Sequence, residues 1–257
     1  MTTRHPLSDT LGADPYDSRR YRRYVLGMLT LTYSFSYLDR QVLVILQESI
    51  KHDLALSDTQ LGLLSGVAFV VFYTTVGLLF ARIADRGVRK RLLVGILGLW
   101  SLMTALCGAT HNYVQMFLAR IGVGVGEAGC NPSAHSMISD IYPPGERAMA
   151  LAVYSAGINI GVLLGFLGGG WFNQWIGWRG TFAALGLAGL MLVPLLALTL
   201  REPRRGRTEQ GAAVGEKLPP FREVFGIMWG SAPFRQMLIA CTAAALGSSA
   251  LYAWMPS

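Results

Sequence analysis

Charge is scarce in this chain: Asp, Glu, Lys and Arg make up 14% of its 257 residues, hydrophobic residues make up 52%, and the mean hydropathy is +0.41. A soluble domain carries charge at about a quarter of its positions, so this composition places the chain in a bilayer. Cysteine is nearly missing as well. Cys107, Cys130 and Cys241 lie in apolar segments, with no CxxC pair and no histidine cluster at metal-ligand spacing, which argues against a disulfide framework or a structural metal. Also missing are a phosphate-cradling glycine loop ending in Lys-Ser/Thr, a His-Glu-x-x-His pair and a Gly-x-Ser-x-Gly turn. No cofactor is expected. A membrane enzyme is disfavoured, since no nucleophile-and-base pair can be picked out by spacing.

What is present in quantity is long apolar segments. A bilayer core about 30 Å thick needs about 20 apolar residues per crossing helix, and runs of that length recur at about Tyr24–Gln47, Thr59–Ala81, Leu92–Thr110, Tyr113–Ile138, Ala148–Phe172 and Thr181–Leu200, with a seventh begun at about Phe234–Trp254. The expected architecture is an all-α integral membrane protein. Residues 1–23 form a polar N-terminal segment and 24–200 a six-helix bundle. Residues 201–233 form a linker with a short interfacial helix, and 234–257 begin an incomplete second half. Residues 1–23 have no apolar stretch followed by a small-residue cleavage site, so the first span reads as an uncleaved anchor.

Of the 22 Lys and Arg residues, Arg40 and Arg120 fall inside spans and Lys51 and Arg179 in the loops on one side. All the rest fall on the other side, which the positive-inside rule makes cytoplasmic, together with both chain ends. That orientation implies a multi-pass protein of the cell inner membrane, in contact with membrane lipids. The net charge of +7 is therefore a topology signal, and no nucleic-acid partner is expected: Arg204, Arg205 and Arg207 lack interleaved aromatics.

The few charges inside the spans are the informative ones, because a charge at bilayer depth is costly and usually functional. Asp39, followed directly by Arg40, lies in span one and Glu127 in span four. Counting inward at 1.5 Å per residue puts Asp39 about 22 Å along its helix, Glu127 about 20 Å and Asn159 of span five about 18 Å, so all three share one level. Neighbours on a helix point about 100° apart, so Asp39 and Arg40 need separate partners. Arg120 and Glu127, two turns apart, form one stripe expected to face a water-filled cavity. Protonation of Asp39 or Glu127 as such a cavity opens to either side is the physical basis of proton coupling. The competing reading is that these charges pair with each other and fix helix packing. Gly157, Gly161, Gly165 and Gly169 form a second stripe, with Gly122 and Gly126 repeating it in span four. Small stripes of this kind permit close helix contact.

The segment Ala81-Arg82-Ile83-Ala84-Asp85-Arg86-Gly87-Val88-Arg89-Lys90-Arg91 resembles the loop signature of the major facilitator superfamily. Arg120 with Gly124, Trp178-Arg179 ahead of Thr181-Phe182, and Arg201-Glu202-Pro203 are similar to other motifs of that family. Tyr37-Leu38-Asp39-Arg40 together with Gly124-Val125-Gly126-Glu127-Ala128 resembles its spinster-like branch, whose members are proposed to move lipids. The family plan is two six-helix halves, so the resemblance implies an amino-terminal half that needs a carboxy-terminal half or a second chain. On that basis the expected function is proton-coupled transport of a small amphiphilic solute. Asp39 and Glu127 would carry protons, while Arg40, Arg120, Asn159, Tyr37 and Tyr73 would contact solute. Asp85, Arg86, Arg89 and Lys90 would serve a cytoplasmic gate, and the glycine stripe of span five would pack across the interface between halves. The alternatives are a drug or organic-anion exporter of the same fold and a non-transporting membrane receptor or assembly subunit.

Overall fold

A computed structural model describes residues 14–208 and 221–254; the expected cytoplasmic positions Arg4 and Lys217 and the middle of the linker lie outside the described residues, as do the side chains of Val67, Ala68, Phe221, Arg222 and 245–254. The chain divides into two compact units, Met1–Ala212 and Ala213–Ser257. In the first, a 3-10 turn (Pro15–Asp17) leads into α1 (Arg19–Asp53), α2 (Asp58–Gly62), a π-helical turn (Leu63–Val67), α3 (Ala68–Arg86), α4 (Arg89–Cys107), α5 (Tyr113–Glu127), α6 (Cys130–Ile141) and α7 (Pro144–Thr199). The second holds α8 (Phe221–Gly230) and α9 (Ala232–Trp254). Along α8 the side chains of Phe225, Ile227, Met228 and Trp229 are exposed.

Among the described residues three stretches, Asp58–Arg86, Arg89–Cys107 and Pro144–Thr199, are apolar and long enough to cross a membrane. The last runs to 56 residues, about 84 Å of helix, and is two helices rather than one. Gly177, at φ 69° and ψ 173°, turns the chain between arms 144–176 and 178–199. That backbone conformation is open to glycine and strained for a residue with a Cβ. Local capping sets other ends. Ser57 and Gln60 form a reciprocal capping box ahead of α2, and Asn112 accepts a hydrogen bond from the Gln115 amide at 3.0 Å while Gln115 accepts from the His111 amide at 2.8 Å.

Span four, expected to run unbroken, is interrupted at Ala128 and Gly129 between α5 and α6. Pro132 is the cause: it has no N–H to give to the Ala128 carbonyl one turn back, and its ring crowds that carbonyl. Glu127 is therefore the last residue of its helix.

The glycine stripes decide which helices touch. Gly157, Gly161, Gly165 and Gly169 lie against Thr30, Ser34, Tyr37, Gln41, Val42 and Ile45 of α1, so the stripe is buried inside the bundle and does not form the expected interface between halves. Gly122 and Gly126 seat α5 on Met103 and Trp100 of α4, and Gly186 and Gly189 seat the second arm of α7 on Ala105 and Ser101. An added Cβ at Gly161 would overlap the Ser34 carbonyl oxygen and come within 2.8 Å of the Tyr37 Cβ, contacts that only a backbone shift relieves. Gly161→Ala is expected to destabilise the bundle by about 1–3 kcal/mol. Thermal unfolding in detergent checks this against Gly95→Ala, where a Cβ meets nothing within 4 Å.

Candidate functional site

α1 and α5 exchange charges in the interior. Arg40 Nη2 lies 2.7 Å from Glu127 Oε2 and its Nε donates to the same oxygen at 2.8 Å. Ser36, one turn earlier on α1, donates its hydroxyl proton to that oxygen at 2.7 Å. Arg120 Nη1 lies 3.4 Å from Asp39 Oδ2. Each helix supplies one acid and one base, and each ion pair crosses between the helices. Asp39 and Arg40 differ by about 1.5 Å in rise, whereas Arg120 and Glu127 are about 10 Å apart along α5. The long arginine side chains make up the difference.

This placement separates the residues singled out from sequence. Asp39, Arg120 and Glu127 are 3%, 1% and 1% exposed, so the Arg120–Glu127 stripe faces the packed interior and not the expected water-filled cavity. Arg40, with 23% of its side chain exposed, is the member of the cluster that reaches the surface. Its guanidinium lies 4.8, 4.6 and 4.8 Å from the ring centres of Tyr37, Phe69 and Tyr73, an aromatic box that holds the cation by its quadrupoles. Asn159 stands outside the cluster, on the exposed face of α7. Among the described residues no group of three or more His, Cys, Asp or Glu side chains is arranged to hold a metal ion.

One carboxylate oxygen of each acid has no hydrogen-bond partner. Beside Asp39 stand Ser101 and Thr104, and all three residues line a cavity of about 10 Å³ together with Phe35, Leu38, Trp100, Leu185 and Gly189.

Asn131, which the sequence reading did not single out, is a hub next to the site. Its amide donates to the hydroxyls of Tyr33 at 3.4 Å and Tyr73 at 3.2 Å and accepts from Tyr154 at 2.8 Å, joining α1, α3, α6 and α7. Tyr33 and Tyr154 stack at 4.5 Å. The signal was the Asn131-Pro132 pair inside an apolar span, a dipeptide that marks a break. Asn131→Leu leaves the fully buried Tyr154 hydroxyl without its best acceptor and is expected to cost about 1–3 kcal/mol, read as a lower melting temperature that Tyr154→Phe in the same chain largely recovers.

At the arginine-rich end the presumed gate residues divide. Arg89 is 1% exposed. It pairs with Asp140, donates from Nε to Glu202 at 2.7 Å, and donates to the Ser136 hydroxyl at 3.0 Å and the Pro203 carbonyl at 2.7 Å. The Lys90 backbone amide donates to Glu202 at 2.7 Å, whereas Asp85 and Arg86 are exposed. Arg205 donates to the carbonyls of Ala84 and Gly87, each at 2.6 Å. The segment after α7 is thereby tied to the α3–α4 turn and to the end of α6.

Paired apolar helices of membrane length, glycine-seated and enclosing crossed ion pairs, are the build of a multi-pass helical membrane protein. The chain belongs to the Major Facilitator Superfamily, whose family model matches residues 29–257, and is spinster-like within it. It is similar to a bacterial homolog of the human lysosomal transporter Spinster, solved in an inward-facing and unoccupied conformation. That likeness has a TM-score of 0.70 at 36% identity and covers 84% of this chain and 50% of that one. It is 40% identical over 200 residues to an MFS-type efflux pump of Mycolicibacterium smegmatis, covering 78% of this chain and 46% of the pump. It is 34% identical over 178 residues to a probable L-galactonate transporter of Escherichia coli, covering 68% of this chain and 39% of that protein. The chain thus spans about half the length, or less, of the relatives it matches.

Proposed function

We propose that the chain supplies the amino-terminal half of a proton-coupled secondary transporter for an amphiphilic solute with an anionic head group. It would sit in the inner membrane with its N-terminus in the cytoplasm. The observation that carries this reading is the crossed pair of ion pairs, Arg40 with Glu127 and Arg120 with Asp39. Arg40 is the only one of the four that combines a carboxylate partner with partial exposure. A carboxylate of Glu127 and an anionic head group compete for the same guanidinium. A proton on Glu127 removes its charge and leaves Arg40 to the solute; loss of that proton recovers Arg40 and releases the solute. The aromatic box of Tyr37, Phe69 and Tyr73 keeps the cation in place in both states, and Asp39 with Arg120 forms the second titratable pair. A further six-helix half, on the same polypeptide or a second chain, would close the path.

Exchange of this kind is tested in liposomes carrying the chain together with such a second half, with an imposed pH gradient and labelled lysolipid. Flux that follows the gradient and collapses with a protonophore is the expected outcome, and flux indifferent to the gradient counts against it. The names of two relatives, an efflux pump and a probable L-galactonate transporter, favour a second reading in which the solute is a drug or a small organic acid. A sugar acid outcompeting lysolipid in the same assay selects it. A third reading, a non-transporting receptor or assembly subunit, makes the ion pairs structural, and neutralising either acid then unfolds the protein without a separable effect on flux.

A further inference from the structure

Well away from the ion pairs, a groove of about 530 Å³ opens between the first turns of α1 and α7. Arg23 on its rim and Asp39 are about 24 Å apart along α1. Arg19, Arg22 and Arg23 line it from α1, and Gly145, Glu146, Met149 and Val153 from α7. Both helices begin here, so the positive ends of two helix dipoles converge on the groove. Neither N-terminus is capped by a side chain, and α1 has no acidic residue in its first turn. Against the three arginines stands the single carboxylate of Glu146, 3.6 Å from Arg22.

Arg22 and Tyr142 line the groove, and just beneath its surface Arg22 Nε and the Tyr142 hydroxyl are buried without a hydrogen-bond partner; Tyr142 is 9% exposed and its ring faces the Arg22 guanidinium at 5.8 Å. Burial pushes the Tyr142 phenol up from its ordinary value, with Arg22 opposing, so it stays an O–H donor at neutral pH. The floor is apolar, formed by Leu26, Gly27 and Ala150, and the wall continues into Met149 and Val153, 71% and 42% exposed.

We propose that this groove binds the phosphodiester head group of an anionic phospholipid, with the arginines and the paired helix N-termini around the phosphate and the upper acyl chain along Met149 and Val153. A free phosphate would have no use for the apolar wall. The volume exceeds what a phosphate fills, and the charge pattern fits an anion at the membrane surface. In the orientation proposed above, the lipid belongs to the cytoplasmic leaflet. The inference does not depend on transport.

The test is native mass spectrometry of the protein released from nanodiscs of phosphatidylcholine and phosphatidylglycerol in equal parts. Unaltered protein is expected to keep phosphatidylglycerol in preference to phosphatidylcholine. Arg19→Gln with Arg23→Gln, both exposed positions that leave the Arg22–Glu146 pair intact, is expected to lower that retention about twentyfold, each arginine near the surface being worth about fivefold. Met149→Glu, which places a carboxylate on the exposed wall without touching the arginines, lowers it as well. Arg91→Gln, elsewhere on the same basic face and exposed, leaves retention unchanged. Equal retention of the two lipids, or an Arg91→Gln loss as large as that of the double variant, overturns the proposal by making the effect one of general surface charge. Displacement of the lipid by an equal concentration of inorganic phosphate overturns the lipid assignment by showing that the anion alone is recognised. Gradient-driven flux can fail in every form without altering these readouts.

Discussion

Glu127→Gln is expected to abolish gradient-driven solute flux while the bundle stays folded. Glutamine has the shape of glutamate and keeps a carbonyl oxygen where Ser36 and Arg40 now donate, at 2.7 and 2.8 Å. What is lost is charge and the capacity to take and release a proton. Arg40 is then held by a neutral acceptor, its 3.5 Å contact with Ser36 and the aromatic box. The exchange between Glu127 and an anionic solute is frozen with Arg40 released. Binding of an anionic solute should persist or tighten, and its gradient dependence should vanish, so measuring binding and flux together separates the two. Truncation to alanine removes the acceptor as well, and breaking a buried pair from one side costs about 3–5 kcal/mol. Glu127→Ala is therefore expected to lower the melting temperature much more than Glu127→Gln. A well-folded Glu127→Gln protein with unaltered gradient-driven flux would remove Glu127 from the coupling. Glu127→Gln unfolding as readily as Glu127→Ala would show that the pair serves packing.

The fold was legible because the bilayer makes apolar length a direct readout of crossing helices, and because an intramembrane charge is too costly to be accidental. Asp39, Arg40, Arg120 and Glu127 were singled out for that reason, and the structure does bring them together. Depth was also readable, but which face of its helix a residue occupies was not drawn out. Asn159 was placed with the acids by its level alone. It follows Gly157 by two positions, about 200° around the helix, and since Gly157 is pressed against Thr30 and Ser34 of α1, Asn159 points away. The glycine stripe announces a close contact, and the neighbour it meets is α1 rather than the other half, because small residues signal proximity without naming what approaches. Asn131 escaped notice for a different reason. It is an amide in an apolar run like Asn159, but it lies off the level shared by the acids, and its importance lies in three tyrosines contributed by three other helices, a coincidence visible only after folding.

Arg89→Leu is expected to be among the most damaging single substitutions at the arginine-rich end, costing about 3–5 kcal/mol. Arg89 is the meeting point of Asp140 on α6, Glu202 beyond α7 and the Pro203 carbonyl. Leucine leaves two carboxylates facing a partly buried site with no guanidinium between them, and the strap 201–208 loses its contacts through Glu202 and Pro203. Arg89→Lys should recover only part of the loss. An ammonium is a point charge, whereas the guanidinium here uses Nε, Nη1 and Nη2 on separate acceptors. Arg86→Gln in the same loop, exposed to solvent, should stay within about 0.5 kcal/mol of the unaltered chain. Thermal unfolding in detergent orders these variants. Combining Arg89→Leu with Asp140→Asn and Glu202→Gln separates burial of unpaired charge from lost packing, because removing the two stranded charges should recover much of the stability if charge is the cause. If Arg89 acted only as a gate, Arg89→Leu would change the rate of transport at an unchanged melting temperature. The buried, many-partnered geometry predicts the opposite order: stability falls first, and any loss of transport follows from it.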